Sequence, residues 1–287
     1  MALIKILDGG MGTELISQNI KLPPYIWSAH TNIKNPSLIY EIHKKFIESG
    51  ADYISTNTFR TTPRAYLKTG LSTIKSKRLA YKSFLNAIRM AQKARGNTKT
   101  KILGSIAPLE DCYTPSNYPG DKKAKQEFLE LSNWFTDLGV DIFLLETMNN
   151  LSEIIACLEI FSLNNYPIWV SLNLLDGEHI LSGEKISEVV KSISRFNVSS
   201  LLLNCSSIEK TNLALETIQK CWNREWGIYP NLGLDEPSPD GIIDNISNIE
   251  DLIKISKKAV SLGATILGGC CGSSYRHIRA ISREFKQ

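Results

Sequence analysis

Short apolar runs alternate along this chain with stretches in which apolar residues recur every three or four positions. The runs Ile4–Leu7, Tyr53–Thr56, Lys101–Ile106, Asp141–Leu145, Ile168–Leu172, Ser200–Leu203, Trp226–Tyr229 and Ala264–Leu267 are bounded by Gly, Asp, Asn or Pro. They predict eight strands buried on both faces, as in a parallel sheet. Helices are predicted between them. Asn35-Pro36 supplies a cap and a proline at the first helical position, and Gly50 supplies the stop. Leu38, Ile39, Ile42, Phe46 and Ile47 then share one face. Asn150 with Glu153 predicts a capping box, opening a helix with the stripe Leu151, Ile154, Ile155, Leu158 and Phe161. A last helix is predicted from about Ser274 to Phe285, with Ile278, Ile281 and Phe285 in register.

Repeated strand–helix units joined by right-handed crossovers favour an α/β chain closed into one (β/α)₈ TIM barrel spanning residues 1–287. An open doubly wound sheet is the alternative. Its dinucleotide fingerprint is not met, because Asp8-Gly9-Gly10-Met11-Gly12 lacks the G-x-G-x-x-G spacing. The barrel is the expected fold.

Composition narrows the function classes. A chain of 287 residues, 43% hydrophobic and 22% charged, can bury a sizeable core. The net charge of +4 is spread along the predicted helices, so a solvated surface is expected rather than a nucleic-acid footprint. The opening apolar run stops at Asp8, too short for a signal-peptide core. No stretch approaches the roughly 18 apolar residues of a membrane span. A cytoplasmic protein without nucleic-acid or membrane partners is expected. In that reducing setting six cysteines point to metal or redox chemistry before disulfides.

Catalytic groups of a barrel come from the carboxyl ends of its strands. Just past the predicted strands lie Asp8, Asn57, Ala107, Glu146, Asn173, Cys205, Asn231 and Cys270-Cys271. In a barrel the ends of strands six and eight flank strand seven, so Cys205, Cys270 and Cys271 are candidates for a shared site. Three thiolates around Zn²⁺ leave one tetrahedral position open, the arrangement of a catalytic zinc site. The glycines around the vicinal pair let both sulfurs turn to one point. The competing reading is that these are ordinary buried thiols. If a metal is held, a soft fourth ligand suits it, and a substrate thiol bound there would ionise near neutral pH. Asp8 and Glu146 have two readings: paired carboxylates for glycoside hydrolysis, or anchors for a substrate ammonium, with the Gly9 and Gly10 amides near its carboxylate.

DGGMGTEL at Asp8–Leu15, IWSAH at Ile26–His30, TNTF at Thr56–Phe59, Glu146-Thr147, Asn204-Cys205 and GGCCG at Gly268–Gly272 resemble the homocysteine S-methyltransferase family. The resemblance runs in order from Ile4 to about Phe285. It implies a (β/α)₈ barrel, zinc held by Cys205, Cys270 and Cys271, and contacts from Asp8 and Glu146 to the homocysteine amino group. It further implies in-line attack of the homocysteine sulfur on the donor's methyl carbon, giving methionine.

The compact forms of the family resemble enzymes that take the methyl group from S-methylmethionine; S-adenosylmethionine and betaine are the alternatives. For a sulfonium donor, Trp27, Phe59 and Tyr229 are candidate aromatic faces. Tyr229–Gly241 departs from the family's shape, and donor recognition is most exposed there. Asn231 is a candidate fourth metal ligand before substrate arrives. Cys157 is expected in the core, Cys221 near a helix end, and Cys112 in the loop after strand three. The four histidines show no paired metal-ligand spacing; His30 lies near the candidate donor loop. A non-catalytic zinc- or thiol-binding barrel is the remaining alternative.

Overall fold

The computed structural model describes residues 3–234 and 245–286. Eight parallel strands, β1 (Lys5–Ile6), β2 (Tyr53–Ser55), β3 (Lys101–Ile106), β4 (Ile142–Met148), β5 (Ile168–Leu172), β6 (Val198–Ser207), β7 (Glu225–Asn231) and β8 (Ile266–Leu267), correspond one for one to the expected runs. The helices are α1 (Met11–Ser17), α2 (Ala29–Lys34), α3 (Pro36–Glu48), α4 (Pro63–Leu67), α5 (Thr73–Arg95), α6 (Asp121–Leu138), α7 (Leu151–Phe161), α8 (Ile186–Ile193), α9 (Ile208–Cys221), α10 (Ile249–Ser261) and α11 (Tyr275–Phe285). No helix among the described residues is long and apolar enough to cross a membrane.

Pairing runs in sequence order from β2 to β8, and β8 pairs in turn with β1. The ring closes between β1 and β2 at the parallel bridge of Leu7 with Tyr53. Asp52 reinforces that seam. Its amide donates to Ile6 O at 2.7 Å and its carboxylate accepts from Ile6 N at 2.8 Å. Asp141 does the same at the foot of β4, accepting from Ile102 N at 2.7 Å. That role explains why β4 begins one residue later than its expected start.

Strand alternation sorts the core into two layers. One face of the strands (Ile6, Ile54, Ile102, Phe143, Leu145, Val170, Leu201, Ile228) packs outward with the helices. The opposite face (Leu7, Leu103, Leu144, Trp169, Leu202, Tyr229, Ile266) fills the barrel interior. In the outer layer, Phe143 lies 5.8 Å from Phe135 of α6 and 5.0 Å from Phe161 of α7, centroid to centroid.

Helix termini follow the expected punctuation with two differences. Gly50 takes a φ of +99° just past α3, but Asn35 accepts from Ser37 Oγ at 2.8 Å and makes no side-chain cap. Asn150 caps α7 by accepting from Glu153 N at 3.1 Å, yet Glu153 does not reach back. Its carboxylate instead accepts from the buried Leu109 amide at 2.8 Å, because that amide in the loop after β3 needs an acceptor. Ser274 and His277 form a reciprocal capping box on α11.

β8 carries the vicinal cysteines, and Gly227 sets its distance from β7. A Cβ at Gly227 would stand 2.0 Å from Ile266 O, which is a backbone atom. Gly227→Ala is therefore expected to lower unfolding free energy by about 2 kcal/mol or more, read from a denaturant titration. An unchanged midpoint would show that β8 has room to shift.

Candidate metal centre

The upper interior of the barrel is polar. Ser171 Oγ donates to Asn204 Oδ1 at 2.7 Å and accepts from Thr147 N at 3.0 Å. Its one proton is thus spent, and the Tyr229 hydroxyl 2.6 Å away is the donor between them. Asn204 Nδ2 donates to Thr147 Oγ1 at 2.7 Å. Ser105 Oγ donates to Glu146. This buried network is a floor on which the site stands.

Two strands break their ladders at that level. β4 shifts register between Leu145 and Met148, and β6 between Asn204 and Ser207. Thr147 and Cys205 sit inside these irregularities with φ of +58° and +52°. Side chains rarely adopt this backbone, least of all a β-branched one. A bulge re-aims the side chains beside it, and here Glu146 and Cys205 are the neighbours.

The structure brings the three thiols together. Cys205 Sγ lies 3.8 Å from Cys271 Sγ, and the sulfurs of Cys205, Cys270 and Cys271 all fall within 4.8 Å of one another. Zn–S bonds of about 2.3 Å at tetrahedral angles set an S···S edge of about 3.8 Å. The donor set is soft and the Cys205–Cys271 spacing matches that edge, so the trio could hold a zinc-like ion. Hydrogen bonds from Cys205 and Cys270 pull the Cys271 thiol well below the ordinary range. Hydrogen bonds to the other two thiols, with burial, push Cys270 well above it.

Residues 269–273 are held from the opposite end of the sequence. Gly269 N donates to Asp8 O at 3.3 Å, and Gly272 N, at a φ of +78°, donates to Thr13 Oγ1 at 2.9 Å. Gly10 N donates to Ser273 Oγ at 3.0 Å, and that hydroxyl donates to Cys270 O at 2.6 Å. Glu14, buried in α1, accepts from Tyr275 N at 2.9 Å. A Cβ at Gly10 would stand 2.7 Å from Cys270 O, so the backbones touch there. The glycine-rich first turn is a clamp on the cysteine loop.

Both candidate acids line this rim. Asp8 accepts from Ser55 N at 2.7 Å and Ser55 Oγ at 3.2 Å. Burial raises its carboxyl well above the usual range; the Ser55 amide opposes this and the neighbouring Glu146 charge adds to it. Burial pushes Glu146 up to about 7, against the Ser105 hydrogen bond and with the help of the Cys205 charge. Two carboxyls raised this way are short of a cation.

Other expected positions serve elsewhere. Asn57 joins Ser28 and Asn32 in a buried network tying the first two loops together. Asn173 accepts from Ser206 Oγ at 3.1 Å. Asn231 Oδ1 accepts from Gly233 N at 2.8 Å, a contact within its own loop. Gly10 N is bound to Ser273, which removes it as a carboxylate donor. Phe59 already faces the Arg60 guanidinium at 5.0 Å, and Tyr229 is buried in the floor. Trp27 packs near Gly12, and Cys157 is in the core. The divergent stretch Tyr229–Gly241 lies outside the described residues from position 235 onward.

Sequence reading missed Thr13, Glu14 and Tyr113. The first two stand inside DGGMGTEL, where two polar residues opening a helix hint at a contact beyond it. Tyr113 carries no such signal. Its hydroxyl lies 3.0 Å from Cys205 Sγ.

A closed barrel with three clustered thiols and two acids, Asp8 and Glu146, at its carboxyl rim defines a barrel whose cysteine trio could hold a metal ion. The sequence profile of the homocysteine S-methyltransferase family matches residues 5–285, and the chain belongs to that family. Its activity is methyl transfer to homocysteine. The chain is 29% identical over 300 residues to the homocysteine S-methyltransferase of Escherichia coli strain K12, covering 97% of this chain and 94% of the relative. It is 27% identical over 304 residues to homocysteine S-methyltransferase 1 of Arabidopsis thaliana, covering 98% and 93%. Among solved structures, the metallated form of the homocysteine methyltransferase MmuM from Escherichia coli superposes with a TM-score of 0.82 at 27% identity, covering 98% and 96%.

The clamp generates a prediction. Thr13→Val keeps shape but removes the acceptor of Gly272 N, so metal-loaded protein should lose its ion to a chelator about tenfold faster. Thr13→Ser should hold it as wild type does. Equal loss rates for the valine variant and wild type would remove the clamp role.

Proposed function

We propose that Cys205, Cys270 and Cys271 hold Zn²⁺ while Asp8 and Glu146 hold the homocysteine amino group. The methyl group then comes from a sulfonium donor, S-methylmethionine or S-adenosylmethionine, and the product is methionine. One observation carries this reading: three sulfurs from two distant stretches gather at the rim where the carboxyls of Asp8 and Glu146 stand.

Zinc supplies Lewis acidity that keeps a bound thiol ionised near neutral pH while leaving it nucleophilic. The protein's own groups do the rest. An ammonium between Asp8 and Glu146 supplies the missing cation and draws both carboxyls toward their ionised forms. Ser55 fixes Asp8 from two sides, and Ser105 fixes Glu146. The substrate's amine and sulfur are thereby held at two points, which orients the sulfur toward the pocket mouth. That orientation is what in-line displacement at the methyl carbon requires. Thiols and carboxylates give the rim a negative character that suits a cationic donor, and a sulfonium leaves as a neutral thioether. Free thiols also suit the reducing cytoplasm. Small molecules are the partners this reading needs.

Purified protein is expected to carry one zinc per chain and to form methionine from homocysteine and S-methylmethionine. Cys205→Ser, Cys270→Ser and Cys271→Ser should each lose the zinc and at least about a hundredfold in rate. Full zinc content in any of them would remove that sulfur from the ligand set. Methionine formed from betaine alone, in a panel of donors, would overturn the sulfonium assignment.

Asp8→Asn and Glu146→Gln should leave zinc content unchanged. Each should weaken homocysteine binding at least about 30-fold, equivalent to about 2 kcal/mol, as measured by calorimetry. Loss of metal in either variant would show that these acids serve the zinc instead of the amine.

A further inference from the structure

We propose that the Asn204–Thr147 hydrogen bond is a strut that fixes the chain length of the thiol this site accepts. It joins the strand end that carries Glu146 to the one that carries Cys205, and so holds the amine anchor and the sulfur site at one spacing. Homocysteine spans that spacing; free cysteine, one methylene shorter, does not. This rests on the reading in which Glu146 takes the amine and the cysteine trio the sulfur.

The first support is where the bond lies. Thr147 follows Glu146 near the carboxyl end of β4, and Asn204 precedes Cys205 near that of β6. These strands are not neighbours, because β5 runs between them. Asn204 Nδ2 nevertheless reaches Thr147 Oγ1 at 2.7 Å, across the intervening strand. Ser171 of β5 braces both partners, accepting from Thr147 N at 3.0 Å and donating to Asn204 Oδ1 at 2.7 Å. The amide oxygen and nitrogen of Asn204 are thus both taken, which leaves its side chain one orientation.

The second support is that both ends of the bond need bracing. Thr147 and Cys205 take φ of +58° and +52°, each where its strand loses register. Left-handed backbone at such residues persists only where the surroundings over-determine it. The bond ends on one of these two residues and starts from the immediate neighbour of the other. Neither turn can relax without moving its counterpart.

The third support is burial. Thr147, Ser171 and Asn204 are each at most 2% exposed. Solvent cannot stand in for a lost partner there, so the bond is stiff where a surface bond would exchange with water. Stiffness is what selection by length requires. In an ordinary apolar pocket a missing methylene is worth roughly 10- to 200-fold. A ligand gripped at two fixed points must release one of them when it is a bond too short, and a misplacement of about 1 Å costs roughly a hundredfold.

Calorimetry with homocysteine and with free cysteine, on the full-length zinc-loaded protein, reads this selection directly. Wild type should bind homocysteine at least about 100-fold more tightly than cysteine. Asn204→Ala and Thr147→Val each remove the strut, and the ratio should fall to about tenfold or less. Thr147→Ser keeps the acceptor and should keep the ratio. The double variant Asn204→Ala/Thr147→Val should select no worse than either single one, since both lose the same bond. Zinc content and a thermal melt are measured for every variant; if Asn204→Ala does not fold, the isosteric Thr147→Val carries the test. A wild type without preference would overturn the proposal, as would variants that weaken both thiols by one common factor. Glu146→Gln with homocysteine affinity intact would instead overturn the anchor reading beneath it.

Discussion

The first and last strands lie side by side, and this pairing is the constraint on which the rest depends. Lys5 and Ile6 of β1 are in register with Ile266 and Leu267 of β8. Ring closure therefore brings the first turn of the chain against the loop that follows β8. Asp8 then shares a backbone bond with the residue before Cys270, and Thr13 reaches the one after Cys271. Asp8 and two sulfurs become one connected piece, although more than 250 residues of sequence separate them. Gly10 and Gly227 are small where two backbones must nearly touch to allow it.

The third sulfur arrives by a different route. β6 sits one strand away from β8, with β7 between them. A regular strand would carry Cys205 to the outward face, since Asn204 already points inward to Ser171. The left-handed turn at Cys205 breaks the alternation, and the matching irregularity at Thr147 does so beside Glu146. The energetic cost of these conformations is offset by the floor beneath them. Asn204, Thr147, Ser171 and Tyr229 satisfy one another's donors and acceptors in a low-dielectric interior, where such bonds are strong when complete.

Much of this was legible in the sequence. Eight apolar runs with turn residues between them foretold the strands, because burial on both faces leaves few polar positions in runs such as Ile168–Leu172. Cys205 and the vicinal cysteines could be placed at one rim because barrel topology alone brings the ends of β6 and β8 near each other. What escaped was whatever depended on contact between distant loops. The Gly10 amide looked free until Ser273 claimed it. Glu153 looked like half of a capping box, and a buried amide in another loop took it. In each case a backbone group without a partner outcompeted the local pattern. Tyr113 was invisible for the converse reason: nothing in its neighbourhood, Asp111-Cys112-Tyr113-Thr114, is periodic or repeated.

The distribution of the three sulfurs has a consequence for how the molecule comes apart. A metal shared by Cys205 and the Cys270–Cys271 loop ties the sixth strand to the eighth, bypassing the seventh. It acts as a removable rivet across the seam by which the terminal β/α unit would otherwise peel away. Loaded molecules should open there only together with the rest of the ring, whereas stripped ones can fray from the carboxyl-terminal end first. A metal held there would thus set the size of the cooperative unit.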